Sequence, residues 1–383
     1  MQRQTITLID SNISANCLAR TYLVAKILCP FFNVIIRGFA LYGHIWGPLE
    51  RNDIKIKPMK LNRQMSLYNN ITRLSKIIAN GSHYIYAFKV LPTSFGVALL
   101  SKLQRGNKIL LDIDDWETAG LRNLTLNGLI KKTLLTHISH DGVLAKVILE
   151  KGIPCSVLRT SPSPMLSKRF NGYFLASGCD GTLFNHRNFN RSQIRDELGI
   201  GHNKKIIMFA GTLRPHKGIE ELIKACQLIR RKDFYLFFLG IDSNLPYWKK
   251  LKKIGFNQMI EYPLLPKKEV ARFLSIADLV VLPQRNQGTA LGQVPIKLFE
   301  AMAMAKPLIV TENEDFKHIL GDLAIYINPD DIIGLSASIE NVLYNRKDAV
   351  EIGLKLREHF ENHYSFEKLT KRLYTILKDE SII

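Results

Sequence analysis

Short apolar runs alternate with amphipathic segments of helical period along most of the chain. Such runs predict strands. In the first part of the chain we expect strands at Thr5–Ile9, Asn33–Arg37, His83–Ala87, Lys108–Ile113, Val157–Thr160 and Tyr173–Ala176. In the second part we expect them at Lys205–Ala210, Phe234–Gly240, Met259–Tyr262, Leu279–Pro283, Pro307–Val310 and Ala324–Ile327. Strands that alternate with helices predict parallel sheets covered by helices on both faces.

The strand–helix pattern begins anew after a polar stretch, Asp180–Lys204, and 383 residues are enough for two domains. We therefore predict two doubly wound, Rossmann-like α/β domains, residues 1–176 and 177–355, that bind ligands in a cleft between them. The remaining helical segment, residues 356–383, is expected to pack back toward the first domain.

The net charge of +19 is unevenly distributed, since residues 1–180 carry 23 Lys and Arg against 10 Asp and Glu. This excess indicates an anionic partner such as lipid head groups, nucleic acid or an acidic substrate. Basic and apolar residues interleave over Arg51–Ile78, partly with the period of a helix. We expect a membrane-surface helix here, with a solvated helix face as the alternative. The membrane or acceptor contacts assigned to it are Lys55, Lys57, Lys60 and Arg63.

The five cysteines are scattered and have neither zinc nor redox spacing, which indicates reduced thiols in the cytoplasm. The most apolar stretch, Tyr22–Tyr42, is interrupted by charged residues and a proline. It is too interrupted to span a bilayer, which needs about 20 mostly apolar residues. We therefore expect a cytoplasmic protein that binds the inner face of the membrane peripherally.

The segment Met208–Gly218, MFAGTLRPHKG, is a buried strand that leads into a loop and then a helix. Open α/β sheets bind phosphorylated ligands at such a position. Arg214 and Lys217 suit a diphosphate, because their charges and the first N–H groups of a helix attract an anion.

A second loop with small residues, Gln287–Leu291, precedes a helix that Pro295 opens. Glu300 lies about one turn inside that helix, where a carboxylate can accept hydrogen bonds from both hydroxyls of a ribose. A capped surface helix with an exposed glutamate is the alternative.

Asp114 and Asp115 follow a predicted strand, in LLDIDDWE. Clustered carboxylates require a cationic or protic partner. We expect one of the two to orient the acceptor hydroxyl or the donor sugar; a metal site and a simple cap or salt bridge are the alternatives. His137 and His140 lie three residues apart without an evident third ligand, and we interpret them as ordinary histidines.

These segments together resemble the retaining glycosyltransferases of family 4, which have the GT-B fold. The resemblance is carried by MFAGTLRPHKG, PIKLFEAMAMAKPLIV (Pro295–Val310), SGCDGTLFN (Ser177–Asn185), RDELGI (Arg195–Ile200) and VARFLSIADLVVLP (Val270–Pro283). It implies that Lys217 binds the donor diphosphate, that Glu300 holds the ribose hydroxyls, and that backbone near Tyr262 and Pro263 meets the nucleobase. The other implied donor contacts are Gly211, Thr212, Gly288, Thr289, Ala290, Leu291 and Lys297.

The chain departs from that family at three places. Thr212 stands where the family has an arginine, so Arg214 must supply that charge. Gly292 stands where the family has a glutamate that contacts the sugar. Asp10-Ser11-Asn12 replaces a Gly-Gly loop, which puts the donor-side role of that loop in question.

The resemblance implies a nucleotide-sugar-dependent transferase that acts with retention on a glycan or lipid-linked acceptor in envelope polysaccharide or glycolipid synthesis. It implies no covalent nucleophile, and we expect no metal cofactor and no nucleic-acid partner. Three alternatives remain open at this point: an epimerase of the same fold, a basic binding protein without activity, and an inactive transferase.

Overall fold

A computed structural model describes residues 3–49, 53–62, 64–121, 124–125, 127–128, 142–285, 287–328, 330–344 and 346–383. The chain forms two compact units. The first unit comprises Met1–Ser177, Gly288–Gln293 and Leu369–Ile383. The second unit comprises Gly178–Gln287 and Val294–Lys368. The predicted C-terminal segment, 356–383, is thus divided between the two units.

The described part of the first unit contains a seven-stranded parallel sheet with the order β3-β2-β1-β4-β5-β6-β7. Its strands are β1 Thr5–Asp10, β2 Asn33–Ala40, β3 Lys55–Lys60, β4 Tyr84–Phe88, β5 Lys108–Asp112, β6 Leu158–Ser161 and β7 Tyr173–Phe174. Its helices are α1 Leu18–Leu28, α2 Leu67–Ala79, α3 Val97–Arg105, α4 Val143–Lys151 and α5 Pro164–Arg169. The strand order reverses between β1 and β4, where loops of an open sheet separate and leave room for a ligand.

The described part of the second unit contains a six-stranded parallel sheet with the order β10-β9-β8-β11-β12-β13. Its strands are β8 Lys205–Ala210, β9 Phe234–Leu239, β10 Met259–Tyr262, β11 Leu279–Leu282, β12 Leu308–Thr311 and β13 Ile325–Ile327. Its helices are α6 Arg191–Glu197, α7 Ile219–Leu228, α8 Pro246–Lys252, α9 Lys267–Ile276, α10 Ile296–Ala303, α11 Glu314–Leu320, α12 Ile332–Tyr344 and α13 Arg346–His363. The reversal lies between β8 and β11. The last helix of the chain is α14 Phe366–Asp379.

The predicted membrane-surface helix is wrong at Lys55, Lys57 and Lys60, because these residues form the edge strand β3. The segment KIKPMK has no continuous apolar run, since an edge strand is covered on fewer sides than a central one. Pro58 is tolerated there because an edge strand has one side without ladder hydrogen bonds. Helix α2 begins only at Leu67. Arg63, His137 and His140 lie outside the described residues.

A buried ion pair secures the end of β5 in the first unit. Arg20 donates to both carboxylate oxygens of Asp112, at 3.1 and 2.8 Å, and to the carbonyl oxygens of Leu175 and Ala176. Thr160 donates to the same carboxylate at 2.6 Å. Asp112 is therefore fully paired within the core. Its neighbours Asp114 and Asp115 do not take part in this ion pair and lie near Lys89 instead.

Gly218 brings two loops of the second unit into contact at the strand reversal. Its φ is +69°, and a Cβ atom at this position would lie 1.9 Å from the carbonyl oxygen of Pro283. Both the backbone conformation and the space therefore require glycine. Because Gly218 follows β8 and Pro283 follows β11, the contact fixes the loops after these strands against each other.

We expect Gly218→Ala to destabilise the protein more than Gly255→Ala, a control with φ +77° and no atom within 4 Å of the added Cβ. The control should lose about 1–2 kcal/mol through backbone strain alone. Gly218→Ala should lose about 1–3 kcal/mol more through forced displacement of backbone. Urea unfolding followed by circular dichroism measures both; equal losses would contradict the role of the Pro283 contact.

Candidate functional site

The loop after β8 places positive charge at the reversal of the second sheet. Residues Pro215–Lys217 form a single 3₁₀ turn, and Gly218 then leads into α7. The ammonium group of Lys217 donates to the side-chain carbonyl of Gln284, a residue that is 4% exposed and follows β11. The Arg285 amide donates to the His216 carbonyl at 2.8 Å. Lys217 is therefore held by both loops at the position where such sheets bind phosphates.

A neighbouring ion pair preserves that positive charge. The guanidinium group of Arg285 donates to the carboxylate of Glu221, in the first turn of α7. This pairing neutralises an acidic side chain that would otherwise repel an anion from the start of the helix. Arg214 and Thr212 in the same loop are exposed.

Glu300 is buried in α10, with 2% of its surface exposed. The alternative of an exposed glutamate on a surface helix is therefore wrong. Lys297 donates to its Oε2 atom at 2.6 Å. Sequence reasoning missed Lys267 at the start of α9: burial lowers the pKa of this lysine, whereas the nearby charge of Glu300 raises it. Glu300 thus lies near two lysines, and its carboxyl oxygens can accept hydrogen bonds.

Tyr262 is the last residue of the strand β10 and Pro263 follows it; these two are the predicted nucleobase contacts. The Tyr262 carbonyl accepts hydrogen bonds from the amides of Gly240 and Ile241, at 3.1 and 3.0 Å. The Pro263 carbonyl also accepts from Gly240, at 3.2 Å. The Tyr262 ring packs on Phe273, with 4.3 Å between ring centroids. These contacts fix the backbone conformation, and the role toward a nucleobase stays a prediction.

The loop Gly288–Gln293 belongs to the first unit. Leu291 packs on a small apolar cluster that contains Trp116 and Leu166. Gly292 has a φ of +74°, and a Cβ atom there would lie 2.6 Å from Leu166. A glutamate cannot occupy this position without displacing Leu166, which explains the departure from the resembled family. The expected phosphate and sugar contacts of Gly288, Thr289, Ala290 and Leu291 stay a prediction, and the Thr289 side chain lies outside the described part.

An acidic cluster surrounds one lysine at the carboxyl edge of the first sheet. Lys89 directly follows β4, and its Nζ atom lies 3.6 Å from Asp114 and 3.3 Å from Glu117, and contacts Asp115. Its φ of +73° places it in the left-handed region, which is uncommon for a residue with a side chain. The sequence analysis missed Lys89; its only signal was a cation directly after the buried run YIYAF.

Burial raises the pKa of Asp114 to about 8, although Lys89 partly opposes the shift. Burial alone would lower the pKa of Lys89, but Asp114, Asp115 and Glu117 together raise it well above its ordinary value. Among the described residues, Asp114 Oδ1 has no hydrogen-bond partner. Asp114 therefore keeps its proton to a higher pH than an ordinary aspartic acid, and its protonated form can donate a hydrogen bond as well as accept one.

Asp10-Ser11-Asn12 forms a turn held by its own side chains. The Asn12 amide donates to Asp10 at 2.8 Å, and the Ser14 amide donates to Asn12 at 3.1 Å. Thr21 donates to the second oxygen of Asp10 at 2.5 Å. Asp10 is fully buried, and burial raises its pKa. The turn thus replaces a glycine loop by local hydrogen bonds.

The described residues contain no group of three or more His, Cys, Asp or Glu side chains placed to hold a metal ion.

Residues 190–362 match the family profile of glycosyl transferases group 1. The matched segment is less than half of the chain, and it is similar to this family. The matched region contains Gly211–Gly218 and Glu300, whereas Asp114 and Asp115 lie outside it.

Curated relatives are distant and match only in part. A protein of Escherichia coli (strain K12), named as a colanic acid biosynthesis glycosyl transferase, is 22% identical over 66% of this chain and 65% of its own length. The GDP-mannose-dependent monoacylated alpha-(1-6)-phosphatidylinositol monomannoside mannosyltransferase of Corynebacterium glutamicum is 25% identical over 50% of this chain and 51% of its own. The chain therefore spans about half to two thirds of these relatives.

Solved structures share the fold of this chain. HepE from Anabaena in complex with UDP-glucose has a TM-score of 0.76 at 14% identity, and covers 98% of this chain and 100% of its own. WaaG, a glycosyltransferase involved in lipopolysaccharide biosynthesis, has a TM-score of 0.72 at 12% identity, and the match covers 97% of this chain and 99% of WaaG. The fold is that of the GT-B class, which confirms the predicted fold class.

The shifted pKa of Asp114 predicts a pH-dependent stability. A carboxyl group that holds its proton more tightly when folded destabilises the folded state once it ionises. Relative to Asp114→Asn, the unfolding free energy of the unsubstituted protein should therefore fall from pH 5 to pH 8, by at most about 1.4 kcal/mol per pH unit. Urea unfolding at several pH values measures this difference.

Asp53→Asn is the matched control. The hydrogen bond from Lys26 is the main cause that lowers the pKa of Asp53, so this group completes its titration below pH 5. Its stability difference from the unsubstituted protein should stay constant from pH 5 to pH 8. A constant difference for Asp114→Asn as well would show that Asp114 does not titrate in this range.

Proposed function

We propose that the protein is a retaining glycosyltransferase that moves a sugar from a nucleotide diphosphate sugar to a hydroxyl group. The observation that carries the proposal is the position of Lys217, held by Gln284 at the strand reversal within the matched domain. Glu300, buried beside Lys297, is the second part of the same donor site. Two similar proteins, a GDP-mannose-dependent mannosyltransferase and a protein solved with UDP-glucose, support a nucleotide-sugar donor.

The proposed chemistry follows from the charges that the reaction creates. As the sugar–phosphate bond breaks, negative charge grows on the diphosphate. Arg214 and Lys217 stabilise that charge, and Lys217 does so without reorganisation because Gln284 already positions it. Retention follows when the acceptor attacks from the face that the diphosphate leaves and a phosphate oxygen takes its proton. No protein nucleophile and no metal is required.

In the first unit, Asp114 and Asp115 are the proposed contacts of the acceptor hydroxyl or the donor sugar. In its protonated form Asp114 can donate to a hydroxyl oxygen, and the carboxyl oxygens of Asp115 can accept from a hydroxyl group. Lys89 holds the two side chains in place, because its Nζ atom lies close to a carboxyl oxygen of each. It acts as a positioning residue, since its charge is already shared among carboxylates.

The donor site is tested by nucleotide binding. UDP, GDP, ADP, TDP and CMP are screened by thermal shift, with and without EDTA. A nucleotide at 100 times its Kd should stabilise the protein by about 2.7 kcal/mol. We expect one nucleotide to bind independently of EDTA, and Lys217→Ala and Glu300→Ala to weaken its binding at least about tenfold, since each loses a charged contact.

Exposed, charge-matched variants serve as controls. Lys224→Ala removes a lysine of α7 that pairs with Glu220, and Glu351→Ala removes a surface glutamate of α13 that pairs with Lys355. Both should bind nucleotide as the unsubstituted protein does. Unchanged affinity in Lys217→Ala and Glu300→Ala would refute the donor site.

We propose that the acceptor is a glycan or a lipid-linked saccharide of the cell envelope and that the protein binds an anionic membrane surface peripherally. Arg37 lies opposite Lys57 on the neighbouring strand, and Lys55 lies two residues before Lys57 on the same face of β3. The charges of Lys55 and then of Arg37 lower the pKa of Lys57. Anionic head groups would relieve this repulsion, and the exposed Tyr68 of α2 adds an aromatic side chain in the same unit. Among the described helices, none has the length and apolar character to cross a membrane.

Vesicle binding tests the membrane contact. A variant with Lys55, Lys57 and Lys60 changed to Gln should lose most of its binding to phosphatidylglycerol vesicles, since each basic residue near such a surface contributes about 1 kcal/mol. Sedimentation with the vesicles measures bound protein. Exposed lysines of the second unit, Lys249, Lys253 and Lys268, give a control triple of equal charge that should still bind. Equal binding of both triples would reject the β3 surface as the contact.

A further inference from the structure

A cavity of about 200 Å³ lies at the amino end of the second sheet, away from the loop that follows β8. It is formed where α6, the loop before β8 and the residue before β11 meet. Lys205 begins β8, whereas Lys217 follows its carboxyl end. The cavity is therefore distinct from the proposed donor site. Its lining residues are Arg191, Ser192, Arg195, His202, Lys204, Lys205 and Asp278.

The lining of this cavity carries a strong excess of positive charge. Two arginines and two lysines contribute, against a single carboxylate, Asp278. Asp278 is already engaged: Arg191 donates to it at 2.8 Å, Arg195 at 3.4 Å and the Ile206 amide at 2.9 Å. His202 pairs outward with Asp196. The charges of Lys204 and Lys205 therefore remain unbalanced by the lining itself.

Arg195 makes the cavity rigid. Its side chain is 3% exposed, and it donates to the carbonyl oxygens of Gly201, His202 and Lys204 at 2.9–3.3 Å. These bonds fix the loop that carries Lys204 and Lys205. A cation pair held on a fixed loop loses little freedom when it binds an anion.

The positive charges of the cavity also affect the pKa of a buried lysine next to it. Lys306 donates to the carbonyl oxygens of Ser275 and Ala277, at 2.7 and 3.0 Å. Burial and then the charge of Arg191 lower its pKa to about 7, with Asp278 opposing. An anion in the cavity would offset this repulsion.

We propose that this cavity binds a single phosphate group, at a site separate from the donor site. Phosphate suits the side chains present, because arginine and lysine are its usual partners. The volume supports one phosphate rather than a whole nucleotide, since pockets for drug-sized ligands measure about 300–1,000 Å³. Either a free phosphate compound or the phosphate of a lipid head group can present this chemistry.

The experiment titrates inorganic phosphate at constant ionic strength, set with chloride, and follows binding by calorimetry. Three proteins are compared: the unsubstituted protein, Lys217→Ala, and the double variant Lys204→Gln/Lys205→Gln, which keeps the ion pairs of Asp278. We expect saturable binding that persists in Lys217→Ala and weakens about tenfold or more in the double variant, the loss typical of charged hydrogen bonds. Thermal unfolding checks that each variant is folded.

The control variant, Lys249→Gln/Lys253→Gln, has the same change in net charge and should bind phosphate normally. Equal phosphate affinity in the double variant and the unsubstituted protein would overturn the proposal, as would loss of all binding in Lys217→Ala. A second arm uses phosphatidylglycerol vesicles with phosphatidylcholine as reference. Vesicle binding that depends on Lys204 and Lys205 identifies a lipid head group as the source of the phosphate; vesicle binding independent of them identifies a free compound.

Discussion

The close contact between Gly218 and the carbonyl group of Pro283 determines the geometry of the second unit's site. It joins the loops after two adjacent parallel strands at the point where the strand order reverses. Lys217 precedes the glycine and Gln284 follows the proline, so the hydrogen bond between their side chains is a consequence of the backbone contact. The cation is thus placed by main-chain packing, which is more rigid than a surface loop and suits its proposed role of stabilising charge without moving.

Two groups of buried charges in the first unit differ in how completely they are paired. Both oxygens of Asp112 accept hydrogen bonds from Arg20, and one of them also accepts from Thr160. These hydrogen bonds compensate for the desolvation of its buried carboxylate. Lys89 instead shares one ammonium group among three carboxylates. Burying such an unequal cluster contributes little to stability, because desolvation can exceed the attraction between the charges. Its place at the carboxyl edge of the sheet, beside the strand reversal, supports the proposed contact with a ligand.

The sequence predicts the buried strands well, because both faces of a parallel strand are covered and the apolar run is continuous. Lys205–Ala210 and Met259–Tyr262 match the structure residue for residue. The edge strand β3 lacks that signal, since its pattern of lysines with a proline resembles a surface segment. Lys217 and Glu300 could be found because each belongs to a local motif. Lys89 and Lys267 could not be found from the sequence. Their partners lie 25 or more residues away along the chain and become neighbours only through the fold.

In the first half of the chain, the net charge and the charge of the cluster around Lys89 have opposite signs, and they act on a partner in different ways. The first half of the chain is strongly basic, yet the cluster at the carboxyl edge of its sheet is mainly acidic. Exposed charges act on a partner over about one Debye length, roughly 8 Å at physiological salt. In the proposed function, the basic surface therefore attracts the anionic partner, whereas the carboxylates contact the ligand at the sheet edge. Carboxyl groups exchange hydrogen bonds with sugar hydroxyls and repel phosphates, so an acceptor that carries both should place its neutral ring at Asp114 and its phosphate elsewhere.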